Sequence, residues 1–328
     1  MYKRVRKLVS SNQIKKDFPV KNPTKKTTFD ESIIDIFNGN GKFLLIVGPC
    51  SADNIDAVFS YCEKLKVIAE NVKDKIFIVP RIYTTKPRTE AGAYRGILHT
   101  PFGQDDFSNG IIAARKLLAS VANEFDFFAA DEMLYPELYD YFDDVLSYVT
   151  IGARTSENQQ HKMVASAIDT CVGIKNPMHG NLKSLAQAVK TVATPHNFVY
   201  NGCEVVSRGN KSAHAILRGY TDNSGKMIPN YSLNDIDEYI GCCNELNIGP
   251  NLIVDCNHFN SGKDYLKEEI VAKQVVSLSK KEIKGLMIES YLLDGRQDRA
   301  TSFGMSLTDA CLGIEKTERL IYELAQML

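Results

Sequence analysis

What most restricts this chain is an alternation that runs through nearly its whole length. Eight short apolar runs recur, at Phe43 to Val47, Phe77 to Pro80, Phe125 to Ala130, Tyr148 to Ala153, Val172 to Lys175, Ala213 to Arg218, Asn251 to Asp255 and Gly285 to Glu289. Helical patterns lie between most of them, such as Ile55, Val58, Phe59, Cys62, Leu65 and Ile68 on one face. Others cover Gly110 to Asn123, Tyr135 to Leu146, Leu182 to Thr194, Leu233 to Leu246 and Asp264 to Ser279, and a last helix carries Leu320, Ile321, Leu324, Met327 and Leu328. Strands that alternate with helices form a parallel sheet, and eight is the number that closes a (β/α)8 barrel. An open doubly wound sheet would want GxGxxG after its first strand, where this chain has Gly48-Pro49-Cys50-Ser51. The fold expected is therefore α/β, a (β/α)8 TIM barrel over residues 43–328, and 328 residues suit one such domain.

Two segments stand outside the alternation. Residues 1–42 read as an N-terminal arm and capping helix. The arm is basic, with Ile14, Phe18 and Val20 as anchors against a neighbour, and Asp30 caps a helix with Phe29 and Ile34 as a hydrophobic staple. That helix stops before Gly39-Asn40-Gly41. Asn197 to Val206 reads as a β-hairpin turning at Asn201-Gly202, inserted before strand six. A formal charge of −1 points to neither nucleic acid nor an acidic membrane surface as partner. Eight cysteines without a CxxC pair, no signal peptide and no apolar run of about 18 residues point to a cytoplasmic protein with reduced thiols.

Barrel chemistry belongs at the carboxyl ends of the strands. In order, those ends present Cys50, Arg81, Glu132, Arg154, Lys175, Arg218, the turn Asp255-Cys256-Asn257-His258, and Glu289. Each has a plain reading alone: a small buried cysteine, a surface acid, a solvated lysine. Four cations at four strand ends, behind which apolar residues fill the strands, argue against independent accidents. With Lys86 and Arg88 they form a pocket for more than one anionic group, and phosphorylated small molecules are the natural guests. Cys50, His258 and Glu289 end strands one, seven and eight, which are neighbours where a barrel closes, and Asp309 can return to that corner. A thiolate, an imidazole and two carboxylates suit one divalent ion such as Mn, Fe, Co or Zn better than Mg or Ca.

These residues also carry a resemblance. Gly48-Pro49-Cys50-Ser51, Pro80-Arg81, Lys86-Pro87-Arg88-Thr89 and Gly152-Ala153-Arg154-Thr155 resemble the type I 3-deoxy-D-arabino-heptulosonate 7-phosphate (DAHP) synthases. Gly173-Ile174-Lys175-Asn176, Leu217-Arg218-Gly219, Asp255 to His258, Glu289-Ser290 and Thr308 to Cys311 continue it in the same order. The resemblance implies condensation of phosphoenolpyruvate with D-erythrose 4-phosphate to DAHP and phosphate, the first step of the shikimate pathway. It implies Cys50, His258, Glu289 and Asp309 as metal ligands and Arg81, Lys86, Arg154, Lys175 and Arg218 as phosphoenolpyruvate contacts, with Arg88 and Thr89 on the aldose phosphate. Lys86 is the candidate proton donor and Glu132 orients or deprotonates a water, so that Lys86, Glu132 and His258 make up the catalytic set. It further implies a homodimer or homotetramer and feedback inhibition by an aromatic amino acid, through the arm and the hairpin, and leaves open which amino acid. Pro177 to Asn181 departs from the turn common in the family. Two other readings are a Schiff-base aldolase using Lys175 and a non-catalytic phosphosugar-sensing barrel.

Overall fold

The computed structural model describes residues 1–328 except 40, 89–91 and 102. Eight parallel strands, β1 (Phe43–Gly48), β2 (Ile76–Pro80), β3 (Ala129–Glu132), β4 (Leu146–Ile151), β5 (Cys171–Lys175), β6 (His214–Leu217), β7 (Leu252–Asp255) and β8 (Ile283–Tyr291), form one sheet. Its order is β2-β1-β8-β7-β6-β5-β4-β3. A parallel bridge from Arg81 to Ala130 joins the two outer strands, so the sheet closes as a barrel. Helices α1 (Ser11–Asp17), α2 (Pro23–Phe37), α3 (Ile55–Val72), α4 (Phe107–Phe125), α5 (Gln159–Ala167), α6 (Leu182–Val192), α7 (Leu233–Leu246), α8 (Glu268–Ser277) and α9 (Ile314–Met327) complete it.

Alternation along the strands builds two apolar layers. Leu44 and Ile46 point inward and join Val79, Ala130, Tyr148, Cys171, Ile216, Ile253 and Met287. Leu45 and Val47 point outward to the helices. Ile33, Ile36 and Phe37 of α2 belong to the inner cluster, so this helix plugs the amino-terminal floor and leaves the carboxyl end as the open one. Fully burying each such side chain contributes roughly 1.5–3 kcal/mol. Gly48 sits where strand and site meet: a Cβ there would lie 2.2 Å from the Arg81 carbonyl oxygen, so a larger residue would push β1 and β2 apart.

Several sequence expectations are corrected. The capping helix starts at Pro23 after Asn22, not at Asp30; proline pre-sets the first helical turn. Asp30 lies inside it, paired with Lys26, and Ile34 is exposed, so the staple does not form; Phe29 instead packs on Phe77 and Phe128. Within the arm an unexpected helix, α1, rests on the barrel of its own chain: Ile14 is buried, and the Phe18 carbonyl accepts from Arg115 Nη2 at 2.7 Å. Phe125 ends α4 rather than starting β3, because Asp126 takes a left-handed φ of 56° and stops the helix. Tyr135 to Leu146 is no long helix but a short 3-10 helix of six residues, Pro136–Tyr141, followed by a turn into β4. Helix α5 was absent from the expected set, and in Asp264 to Ser279 the α-helix begins only at Glu268. The hairpin is as expected, with Asn197–Tyr200 antiparallel to Cys203–Val206 and positive φ at both Asn201 and Gly202.

Candidate active site

Cys50 lies in the turn after β1, Glu289 in β8, and Asp309 in the segment before α9. One donor atom from each falls within 4.8 Å of the other two. Cys50 Sγ is 3.4 Å from Asp309 Oδ2 and accepts the Asp309 N–H at 3.3 Å. Burial, then the neighbouring Glu289 carboxylate, push the thiol up to about 12. Although burial opposes it, Arg81 and Lys86 hold Glu289 below the usual carboxylate range. Lys86 and His258 do the same for Asp309, again against its burial.

Arg81 is wholly buried. Its guanidinium lies over the Tyr83 ring at 3.8 Å and donates to the carbonyls of Pro49 and Cys50. It reaches Glu289 Oε1 at 2.7 Å, but off the line of a hydrogen bond, so Oε1 is left without a well-directed partner. Glu289 Oε2 accepts from Asn257 Nδ2 at 2.7 Å and is fixed. A buried sulfur beside two carboxylates, one with an oxygen still seeking a partner, is a donor set that a divalent cation would satisfy. The residues fit the implied metal.

His258 stands beside this group rather than within it. It lines the same cleft as Asp309, but its Nδ1 faces Asp255 Oδ2 at 2.9 Å, and it is not within the mutual distance that joins the other three.

Next to the cluster opens a cleft of about 100 Å³, lined by Lys86, Arg88, Glu132, Arg154, Lys175 and Arg218 among others. Of the expected substrate contacts only Arg81 lies beneath its surface, with Nη1 its unpaired donor; Thr89 falls outside the described residues. Among the described residues, Arg88, Arg154 and Arg218 have no carboxylate within ion-pair distance, which leaves them for a ligand. Glu132 lies directly above Gly152, where a Cβ would come within 2.2 Å of Oε1. The glycine therefore makes room for the acid. Lys175 Nζ is 2.9 Å from Asp255 Oδ2. Burial lowers the affinity of this amine for its proton, and Asp255 opposes the effect.

Three features were not read from the sequence. Lys263 also lines the cleft and shares the Phe259 ring with Arg218, their charges 5.8 and 4.5 Å from its centre. Lys263 is brought there by positive φ values at His258, Gly262 and Lys263, a backbone path with no sequence signature. Met178, in the divergent turn, contributes a sulfur 3.6 Å from Arg218 Nη1. Finally, buried Asn176, Asn230 and Asn260 tie the ends of β5, β6 and β7 together. Asn176 Oδ1 accepts from Arg218 N and Asn230 Nδ2, and Asn260 Nδ2 donates to the carbonyls of Leu217 and Asp255. Asn176 follows Lys175 directly and was the legible part of this network.

A closed eight-stranded barrel with a cationic cleft and a soft metal-type donor set at its carboxyl face defines a barrel enzyme for anionic small molecules. The chain belongs to the DAHP synthetase I family, whose profile matches residues 17–321. It is 37% identical over 339 residues to the Tyr-sensitive phospho-2-dehydro-3-deoxyheptonate aldolase of Escherichia coli, covering 98% of this chain and 93% of that one. The Haemophilus influenzae phospho-2-dehydro-3-deoxyheptonate aldolase is 35% identical over 314 residues, with 92% and 85% covered. The solved structure of that aldolase from Francisella tularensis superposes with a TM-score of 0.93 at 30% identity, over 100% of this chain and 98% of that chain.

Proposed function

We propose that this enzyme condenses phosphoenolpyruvate with D-erythrose 4-phosphate and water to give DAHP and phosphate, opening the shikimate pathway in the cytoplasm. The observation that carries the reading is the junction of the Cys50, Glu289 and Asp309 cluster with a cleft lined by Arg88, Arg154 and Arg218, which have no carboxylate at ion-pair distance among the described residues. Two like-charged substrates meet only where cations offset their repulsion. Arg154, Lys175 and Arg218, with Arg81 behind them, hold phosphoenolpyruvate, while Arg88 and Thr89 hold the aldose phosphate. C3 of phosphoenolpyruvate bonds to the aldehyde carbon, and the aldehyde oxygen takes up a proton from Lys86. Burial opposes the protonated form of Lys86, but the Glu289 carboxylate favours it, with Nζ 3.9 Å from Glu289 Oε1. Water directed by Glu132 adds at C2, and phosphate leaves with C–O cleavage. One divalent ion of the Mn, Fe, Co or Zn kind, held by Cys50, Glu289 and Asp309 with His258, supplies Lewis acidity toward the aldehyde.

The test is phosphate release after chelation and re-addition of each ion in turn. Release is expected only with both substrates and a metal present; release from phosphoenolpyruvate alone would refute the condensation. Schiff-base chemistry draws some support from the lowered proton affinity of Lys175, and borohydride trapping of an adduct on that residue would establish it. A barrel that only senses phosphosugars would release no phosphate at all.

Relatives in Escherichia coli carry the names Tyr-sensitive and Phe-sensitive. We extend that class of regulation to this chain, with an aromatic amino acid acting through the arm and the hairpin of a homodimer or homotetramer. The hairpin exposes Val199 and Val206 at 69% and 72%, apolar surface suited to a subunit contact. No described helix is long and apolar enough to cross a membrane.

A further inference from the structure

Asp255, at the end of β7, is fully buried, and nothing in the condensation requires it as a reactant. Its Oδ1 accepts from Asn257 N at 3.1 Å, and its backbone carbonyl is held by Asn260 Nδ2. Only Oδ2 remains, and two groups compete for it: Lys175 Nζ at 2.9 Å and His258 Nδ1 at 2.9 Å. Neither approach is well directed, and both Oδ2 and His258 Nδ1 are left without a good hydrogen bond. A single oxygen caught between a substrate cation and a metal-side imidazole satisfies neither.

An imidazole becomes a stronger donor at one nitrogen when a carboxylate takes the proton of the other. An anionic substrate that draws the Lys175 ammonium into the cleft leaves Oδ2 to His258 alone. The Nδ1–H···O contact can then straighten, and Nε2 is fixed in both tautomer and direction.

We propose that Asp255 is a positioning residue that links the two halves of the site, so that phosphoenolpyruvate on Lys175 tightens the grip of His258 on the metal. Linkage makes the effect reciprocal: bound metal tightens phosphoenolpyruvate by the same factor. The proposal rests on the ligand set assigned above and adds to it a chain of contact from substrate to metal.

The experiment titrates Co(II) into the metal-free full-length enzyme, followed by thiolate-to-cobalt absorption and calorimetry. It is done with and without phosphoenolpyruvate, and without aldose phosphate, so no turnover intervenes. In the wild type phosphoenolpyruvate should lower the cobalt Kd by about 5- to 10-fold, within the usual range of such couplings. In Asp255→Asn the gain should fall below about twofold. A gain undiminished in Asp255→Asn would mean that simple attraction between charges accounts for it, and would overturn the proposal.

Lys175→Met supplies a second route should Asp255→Asn fold poorly. Without phosphoenolpyruvate it should tighten cobalt several-fold and alter the absorption band, whereas Lys175→Arg, which keeps a cation against Oδ2, should do neither. Equal cobalt affinity in Lys175→Met and wild type would overturn the proposal. Cys50→Ala and His258→Gln separate this failure from that of the ligand set. If both bind cobalt as the wild type does, the metal assignment itself is wrong; if both lose it while the phosphoenolpyruvate gain survives in Asp255→Asn, only the linkage falls.

Discussion

At the floor of the barrel, Tyr148 Oη donates to His214 Nε2 at 2.6 Å, and His214 Nδ1–H donates to the Ser212 carbonyl at 2.8 Å. Phe37 of α2 lies on the imidazole at 4.1 Å between ring centres, and Gly173 leaves room for the Tyr148 hydroxyl, which a Cβ would meet at 2.0 Å. Every polar atom of that pair is neutral and partnered. At the mouth of the same barrel the terms are reversed. Arg81 Nη1, Asp255 Oδ2, His258 Nδ1 and Glu289 Oε1 are buried with no good hydrogen bond. These groups sit within ion-pair distance of one another, yet each of these atoms lacks a directed hydrogen bond, which costs on the order of 1–3 kcal/mol apiece and persists where something outside the chain completes it or where chemistry uses it. The floor is built for stability, and the mouth holds unmet electrostatic demand that substrate and metal would meet.

The strongest way to sharpen this contrast is at the mouth. Cys50→Ala removes a donor without removing packing volume of consequence, and turnover should drop roughly a thousandfold or more, given the several kcal/mol that a metal Lewis acid supplies. Its melting temperature should match the wild type in the metal-free state. Steady-state kinetics with calorimetry checks both, and a variant that turns over normally would break the comparison at its functional end.

The matching change at the floor is Ile33→Ala in α2. Ile33 is fully buried in the inner cluster, and its truncation should cost about 2–4 kcal/mol in denaturant unfolding. The variant should keep kcat and both KM values near wild type while it remains folded. A large loss of activity in the folded variant would show that the plug also sets the geometry of the mouth.

How much of each end was readable follows from the same division. Strands β1, β5 and β7 could be placed because both faces are buried and their apolar runs are unbroken. Strand β3 could not: Phe125, Phe127 and Phe128 extend the apolar signal of α4 past its end, and the break rests on the backbone of Asp126 alone. The stretch from the 3-10 helix into β4 keeps a helix-like spacing in Leu138, Phe142 and Val145, all buried, so pattern overstated its length. At the mouth, charge at a strand end is itself the signal, which is why Cys50, Lys175, Arg218 and Glu289 were legible. Lys263 and the shared Asp255 oxygen were not, since they depend on left-handed backbone and on distances between side chains from different strands. The Tyr148–His214 pair was equally hidden, because partners on β4 and β6 meet only inside the closed barrel.

That pair also provides the smallest and cleanest test. Burial, opposed weakly by the Ser212 carbonyl, pulls His214 down to about 4 from an ordinary value of 6.5. Below pH 6.5 the unfolded chain takes up a proton at this residue that the folded chain refuses until about pH 4. The unfolded state thus binds more protons across this window, and the contribution of His214 to stability is present above 6.5 and lost on acidification toward 4. The slope is at most about 1.4 kcal/mol per pH unit, which sums to about 2 kcal/mol between pH 7 and 5. Asp53 and Asp131, pushed up by burial to about 6 and about 7, titrate in the same range, so the informative quantity is a difference between proteins. His214→Gln, which cannot take up the proton, should lose less stability than wild type between pH 7 and pH 5, by about that amount. Equal pH dependence in urea unfolding would mean that the floor admits a charged imidazole, and that its polar pair is no more protected from water than the groups at the open end.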